Sequence, residues 1–344
     1  MTNKKDYILA AYSGDESVDH LSGDDLEKLT HINHFAAGLA DGKIDEKSVG
    51  GLDDIEKLKN FDVDILISIG GWGVDGFSQA ASTSRGRKRL AESIVNFVDK
   101  HNFDGIDLDW EYPGIPGGGI AASPDDKKNF TLLLKKIRQL LDDLEHKKNR
   151  HLLLTIAAGA YQKCAENMEL EKITEKYLDF INLMTYDMGS SREITGHHTN
   201  LYAPEFAPDD YCVQKAVDIY KKRGVPSAKL VIGGAFYGHS WQGVENTNNG
   251  LNQPAETDGG TFHDFSEIAD EYMNKDQFNR YWDEKACAPY LFNGEKFLSY
   301  DDEESLREKV KFVKEKNLGG MMYFIHHADY KGLLLEALFD EFQK

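Results

Sequence analysis

Eight apolar, β-branched-rich runs punctuate the chain: Tyr7–Tyr12, His31–Ala37, Val63–Gly70, Phe103–Trp110, Leu152–Ala158, Phe180–Tyr186, Leu230–Phe236 and Gly320–Phe324. Most are continuous rather than alternating, as parallel strands covered on both faces should be. Between them the apolar positions recur at helical spacing. Ser84–Lys100 lines up Leu90, Ile94, Phe97 and Val98, and Pro124–His146 lines up Phe130, Leu133, Leu134, Ile137, Leu140, Leu141 and Leu144. Asp209–Arg223 and Asp301–Lys316 open with acids and close with bases, which suits the helix dipole. Strands alternating with helices eight times over predict a (β/α)8 TIM barrel, an α/β fold. One interval breaks the rhythm. Roughly 62 residues, Gly238 to Ser299, are rich in Gly, Asn and aromatics and contain strand-like pieces at Gly260–Phe265 and Tyr290–Lys296. They predict a small α+β insertion between strand seven and strand eight, walling one side of a cleft. The expected division is 1–238 with 299–344 for the barrel and 239–298 for the insertion. No internal repeat, low-complexity tract or linker implies an independent second domain.

A length of 344 residues fits a single barrel with insertions, and 40% hydrophobic content supports a substantial core. With 40 Lys and Arg against 59 Asp and Glu, the net charge is -19. That balance argues against nucleic acid and anionic membrane partners, which need a positive footprint, and is neutral toward sugars. Cys164, Cys212 and Cys287 are scattered, with no C-x-x-C or Cys/His spacing for zinc, and read as bystander thiols. The apolar run Tyr7–Tyr12 is too short for a signal-peptide core. If Met1 is the native start the expected location is cytoplasmic; a trimmed chain would allow an extracellular one. No segment is long enough to span a bilayer.

The run Phe103-Asp104-Gly105-Ile106-Asp107-Leu108-Asp109-Trp110-Glu111-Tyr112-Pro113 carries the chemistry. On a strand, side chains two apart share a face about 6.5–7 Å from one another. Asp107, Asp109 and Glu111 would then share one surface, with Glu111 at the C-terminal mouth. Crowded acids raise one another's pKa, which a proton donor near neutral pH requires. An edge strand with its acids in water would show the same alternation. A Mg²⁺ or Ca²⁺ site is a second competing use, but no His joins the acids nearby and the pleat spreads the oxygens along a line. The other strand ends add aromatic rings: Tyr12, Trp72 after Ser68-Ile69-Gly70-Gly71, Tyr112, Tyr186 in Met184-Thr185-Tyr186-Asp187, Tyr237 with Trp241 beyond, and Phe324. Flat rings beside carboxylates suit a sugar, whose C–H faces pack on aromatics while its hydroxyls need polar partners.

Here the sequence resembles glycoside hydrolase family 18 chitinases over almost its whole length. Asp104-Gly105-Ile106-Asp107-Leu108-Asp109-Trp110-Glu111 matches that family's D-G-x-D-x-D-x-E signature. Ser68-Ile69-Gly70-Gly71-Trp72 matches its S-x-G-G motif, and Met184-Thr185-Tyr186-Asp187 its M-x-Y-D. Pro289-Tyr290-Leu291, Tyr300-Asp301-Asp302 and Leu318-Gly319-Gly320-Met321-Met322 resemble segments of bacterial-type members that carry the insertion. The resemblance implies substrate-assisted retention, the exception to the two-carboxylate scheme. Glu111 would be the general acid and base. Asp109 would orient the acetamido N–H and stabilise the oxazolinium, and Asp107 would hold Asp109. Tyr186 would place the acetamido oxygen. Asp187 would contact the distorted sugar, and Tyr12, Trp72, Tyr112, Met184, Tyr237 and Phe324 would line the cleft.

Some positions depart from the family pattern. Phe324 stands where a Trp is usual, His239 where an Arg follows Tyr-Gly, and Arg192 where a Trp often sits. Gly196-His197-His198-Thr199-Asn200 replaces the frequent Gly-His-Asn-Ala-Pro, and strand two has Phe35 one place before the usual inward Phe. A thinner aromatic lining implies short soluble oligomers over crystalline polymer. The expected substrate is chitin or N-acetylglucosamine oligosaccharide, with no cofactor, no metal, no nucleic acid or membrane partner, and a monomeric chain. An endo-β-N-acetylglucosaminidase or peptidoglycan hydrolase on the same barrel is the alternative, and a non-catalytic chitin-binding lectin is disfavoured by the presence of Glu111.

Overall fold

The structure, a computed structural model, describes residues 7–14, 20–205, 211–273, 275 and 277–344. Fourteen strands occur among them, numbered in chain order. The barrel uses β1 (Ile8–Ser13), β2 (His31–Ala40), β4 (Asp64–Gly70), β5 (Gly105–Asp109), β6 (Leu153–Gly159), β7 (Ile181–Met184), β8 (Leu230–Ala235) and β14 (Gly320–Phe324). They pair in the order β1-β14-β8-β7-β6-β5-β4-β2, and β1 also pairs with β2, so the sheet closes on itself. Every one of these pairings is parallel, including Ala10↔His31 across the closure. The fold is a (β/α)8 TIM barrel. A short strand, β3 (Lys43–Asp45), returns antiparallel on β2.

The helices between strands form for local reasons that the sequence already contains. Helix Ser84–His101 starts where Thr83 Oγ1 accepts the Gly86 N–H and stops at Asn102 in the left-handed region, and it buries Leu90, Ala91, Ile94, Val95, Phe97 and Val98. Apart from Ala91, each of these side chains contributes about 1.5–3 kcal/mol on burial. Helix Asp126–Lys148 follows β5 and ends at a left-handed Asn149. Helix Val213–Lys221 falls within the run expected from Asp209; 209–210 lie outside the described residues, and the helix starts after Cys212, whose Sγ accepts the Lys215 N–H. No described helix is long and apolar enough to cross a membrane.

Five further strands follow β8: β9 (Tyr237–Trp241), β10 (Thr261–Asp264), β11 (Asn279–Asp283), β12 (Ala288–Phe292) and β13 (Phe297–Tyr300). They form one antiparallel sheet in the order β10-β9-β13-β12-β11. Its strands begin two residues before and end two residues after the expected 239–298, because β9 continues almost directly from β8. The expected strand piece Tyr290–Lys296 is the end of β12 plus a turn in which Asn293 Oδ1 accepts the Glu295 and Lys296 N–H groups. Trp241 lies at no rim. It is fully buried in a small second core with Val244, Tyr290, Phe292 and Phe297, and its indole N–H donates to Arg192 O.

A buried ion pair fastens this sheet to the barrel. Lys309 Nζ lies 2.5 Å from Asp301 Oδ2, and both side chains are fully enclosed. Asp301 Oδ2 also accepts the N–H of Ala235 at the end of β8, and Lys309 reaches Thr199 Oγ1 at 2.7 Å. Such a pair is not a net source of stability, but losing one member strands the other charge.

Candidate active site

Strand β5 ends at Asp109, two residues short of Glu111. Asp107 and Asp109 are almost fully buried, while Trp110 points the other way, stacked on Phe77 at 5.4 Å and edge-on to Phe130 at 5.6 Å. Strand alternation therefore sends the acids inward and the apolar residues toward the helices. Glu111 opens the loop that follows, and buried Asp126 fixes that loop. Asp126 Oδ2 accepts the Gly114 and Ser123 N–H groups, and Oδ1 accepts the Ser78 hydroxyl.

The three acids have different surroundings. Asp107 accepts four hydrogen bonds: Tyr12 OH at 2.8 Å and Ser68 Oγ at 3.1 Å on Oδ2, Thr155 Oγ1 at 2.6 Å and Asn182 Nδ2 at 3.1 Å on Oδ1. Burial raises its pKa, and those four donors pull the other way. No hydrogen bond joins Asp107 to Asp109; the two interact through charge alone. Asp109 Oδ1 is buried with no hydrogen-bond partner among the described residues. Burial, then the nearby Glu111 and Asp107, push the Asp109 pKa well above the usual carboxylate range. Burial pushes Glu111 up to about 7, opposed by a Tyr112 hydrogen bond and assisted by the Asp187 charge.

Two glycines make this packing possible. A Cβ on Gly70 would lie 1.9 Å from Asp109 O, and its φ of +120° is open to glycine alone. The turn it allows carries Trp72 to an exposed rim position, 65% accessible. A Cβ on Gly233 would lie 2.7 Å from Tyr186 Cε1, so β8 leaves room for that ring. Tyr186 is buried beside Tyr237, with ring centroids 5.9 Å apart, and beside Phe324 at 6.3 Å. Tyr12 approaches Phe324 at 6.1 Å. Met184 ends β7 and is half-buried, and Tyr112 is half-buried. Asp187 is half-exposed; its Oδ1 accepts Tyr237 OH at 2.6 Å and His239 Nε2–H at 2.8 Å.

Several contributors were not expected. Phe35 reaches this group after all: the register of β2 against β4 shifts between His34 and Ala37, and the Phe35 ring meets Phe324 at 5.4 Å and Tyr12 at 6.2 Å. A bulge of this kind re-aims a side chain and is invisible to a period-two pattern. Phe262 of β10 stacks on Tyr237 at 4.4 Å, and Tyr161 OH donates to Asp187 O at 3.2 Å. Neither lies in a recognisable motif. The acid ladder itself does not gather metal donors, since Asp107 is saturated by neutral donors. A carboxylate and two imidazoles do converge at Asp187, His198 and His239.

A closed barrel with a D-x-D-x-E run turned inward at one strand end has counterparts. The glycosyl hydrolases family 18 model matches residues 8–329. The chain belongs to glycosyl hydrolases family 18. Chitinase A1 of Niallia circulans is 40% identical over 86% of this chain and 45% of its own length. Chitotriosidase-1 of Mus musculus is 32% identical over 90% of this chain and 69% of its own length. The chain thus spans 45% and 69% of the length of these two curated relatives. Among solved structures, a family 18 N-acetylglucosaminidase from Paenibacillus barengoltzii superposes with a TM-score of 0.95 at 45% identity, covering 97% of this chain and 99% of that one. As in other members of this family's barrel fold, the acids and rings lie on the face where barrel enzymes place their chemistry.

Proposed function

We propose that this family 18 chain hydrolyses β-1,4-linked N-acetylglucosamine chains by substrate-assisted retention, with Glu111 as the proton donor. The observation that carries the reading is the pair Glu111 and Asp109. One carboxyl has its pKa lifted to about 7 by burial. Its neighbour keeps a buried oxygen, Asp109 Oδ1, without a donor among the described residues. A buried acceptor with no partner costs free energy that a ligand N–H recovers. The acetamido N–H of an N-acetylated sugar is such a donor, and accepting it aims the acetamido oxygen at the anomeric carbon.

In the first step Glu111 gives its proton to the glycosidic oxygen as the C–O bond breaks. The acetamido oxygen closes an oxazolinium ring, and its positive charge favours ionised Asp109. Asp107, anchored by Tyr12, Ser68, Thr155 and Asn182, acts on Asp109 through charge and not by direct holding. In the second step Glu111, now a carboxylate, takes a proton from water, and the resulting hydroxide opens the ring with net retention. Tyr186 presents its hydroxyl to the acetamido oxygen. Asp187 meets the sugar hydroxyls, and Trp72, Tyr112, Met184, Tyr237 and Phe324 line the path.

Replacing Glu111 by Gln is expected to lower kcat about 10²–10⁴-fold on defined N-acetylglucosamine oligomers while leaving binding largely intact. Proton NMR of the wild-type product before mutarotation should show the β anomer. Activity within tenfold of wild type in the Gln variant, or an α product, would assign the chemistry to another group.

A second reading concerns which bond is cut. Similarity over nearly full length to an N-acetylglucosaminidase, with the smaller Phe324 in place of an indole, favours release of single terminal residues from short oligomers. Separation of products from a labelled tetramer distinguishes the two: monomer plus trimer for terminal release, dimers for internal cleavage.

A further inference from the structure

Asp187 and His198 lie in the segment after β7, and His239 lies on β9. Among the described residues they are the one group of three or more His, Cys, Asp or Glu side chains whose ligand atoms all fall within 4.8 Å of one another. His239 Nε2 and His198 Nδ1 face the same oxygen, Asp187 Oδ1, at 2.8 and 3.9 Å. The two imidazoles meet edge to face with centroids 4.8 Å apart. Both are buried, while the Asp187 side chain is 53% exposed, so the group opens to solvent at Asp187.

We propose that Asp187, His198 and His239 bind a divalent transition-metal ion weakly, with Zn²⁺ as the reference case, and that the ion displaces the sugar from Asp187. The second half of this rests on the sugar-facing role given to Asp187 above.

The donor set selects the ion. Two imidazoles and one carboxylate suit Zn²⁺, Cu²⁺ or Ni²⁺, whereas Mg²⁺ and Ca²⁺ want oxygen cages. Ligands around tetrahedral zinc at about 2.0–2.1 Å from the metal lie roughly 3.3–3.4 Å apart. The observed 2.8 and 3.9 Å bracket that spacing and the third pair lies within 4.8 Å, so side-chain shifts of up to about 1.5 Å admit the ion. His198 Nδ1 accepts the Asp187 backbone N–H at 3.4 Å, so its lone pair faces the group and is released from that long contact when the ion binds.

The same geometry limits affinity. His239 donates Nε2–H to Asp187 and would have to carry its proton on Nδ1 to bind a metal. Among the described residues the outer nitrogen His239 Nδ1 is buried without a partner. Resident metal sites pass that outer N–H to an acceptor, and losing such a partner costs about 10–100-fold in affinity. The ion is therefore an outside inhibitor and not a cofactor of the hydrolysis.

The test uses the intact chain freed of metal by chelator, with Zn²⁺ alone as probe. Expected results are inhibition by Zn²⁺ and not by Mg²⁺ at equal concentration, with KM raised and kcat unchanged. His239→Gln keeps a neutral donor toward Asp187, and His198→Asn keeps an acceptor for its N–H. Each should raise the Zn²⁺ inhibition constant at least tenfold over wild type, with inhibition scored against each variant's own metal-free rate. Equilibrium dialysis should find one more Zn²⁺ on wild type than on either variant. Equal inhibition in wild type and both variants, or equal dialysis occupancy, would overturn the site. Inhibition that lowers kcat alone would overturn the competition. A chain inactive on every N-acetylglucosamine substrate would sink the hydrolase reading, and the dialysis difference would still decide the metal site.

Discussion

Glu111→Gln should stabilise the fold, and by an amount that grows with pH. An ordinary glutamate titrates near 4.5, and burial lifts Glu111 to about 7. Between those values the folded chain holds a proton that the unfolded chain has released, so stability falls as pH rises through the window and is level above it. The gap of about 2.5 pH units, at 1.36 kcal/mol per unit, makes the buried carboxylate cost about 3 kcal/mol at pH 8 and under about 1 kcal/mol at pH 5. Gln never ionises and is spared this cost. It also removes a charge that raises the Asp109 pKa, which adds in the same direction. For 344 residues, an unfolding entropy of about 2.1 cal/mol/K per residue gives roughly 0.7 kcal/mol/K. The variant should therefore melt about 1 °C above wild type at pH 5 and about 4 °C above it at pH 8. Scanning calorimetry of both proteins at the two pH values reads this directly. A Tm gap that is the same at both, or larger at pH 5, would show that Glu111 is not a carboxyl held neutral by burial, and the proton-donor assignment would lose its basis.

Three further outcomes follow from other contacts. Lys309→Met leaves Asp301 buried without its cation, and urea unfolding should show a loss of about 3–5 kcal/mol. Gly233→Ala would set a Cβ 2.7 Å from Tyr186 Cε1; displacement of that ring by a fraction of an ångström should lower kcat about 10–100-fold with a smaller change in KM, and an unchanged kcat would remove Tyr186 from the chemistry. With Phe324 in place of an indole, turnover on soluble tri- to hexasaccharides should far exceed that on insoluble chitin, and equal turnover on the solid would contradict the role given to the thinner lining.

Much of this molecule was legible in the order of residues. Eight buried runs and the amphipathic stretches between them specify a parallel barrel, because a strand covered on both faces cannot afford the polar alternation of an exposed one. The spacing of Asp107, Asp109 and Glu111 likewise fixes their common direction, since strand side chains alternate with a period of two. What lay beyond local pattern needed the assembled fold. Phe35 enters the aromatic group only through a register shift of β2, and Phe262 only because β10 pairs with β9. Trp241, which looked like a rim residue, is buried because the strand it belongs to starts at Tyr237. The surroundings of each acid were decided at long range as well. Tyr12, Ser68, Thr155 and Asn182 come from four other strands to saturate Asp107, while no described side chain reaches Asp109 Oδ1. A carboxyl's pKa depends on who surrounds it in space, and closure of the barrel, not adjacency along the chain, makes those neighbours.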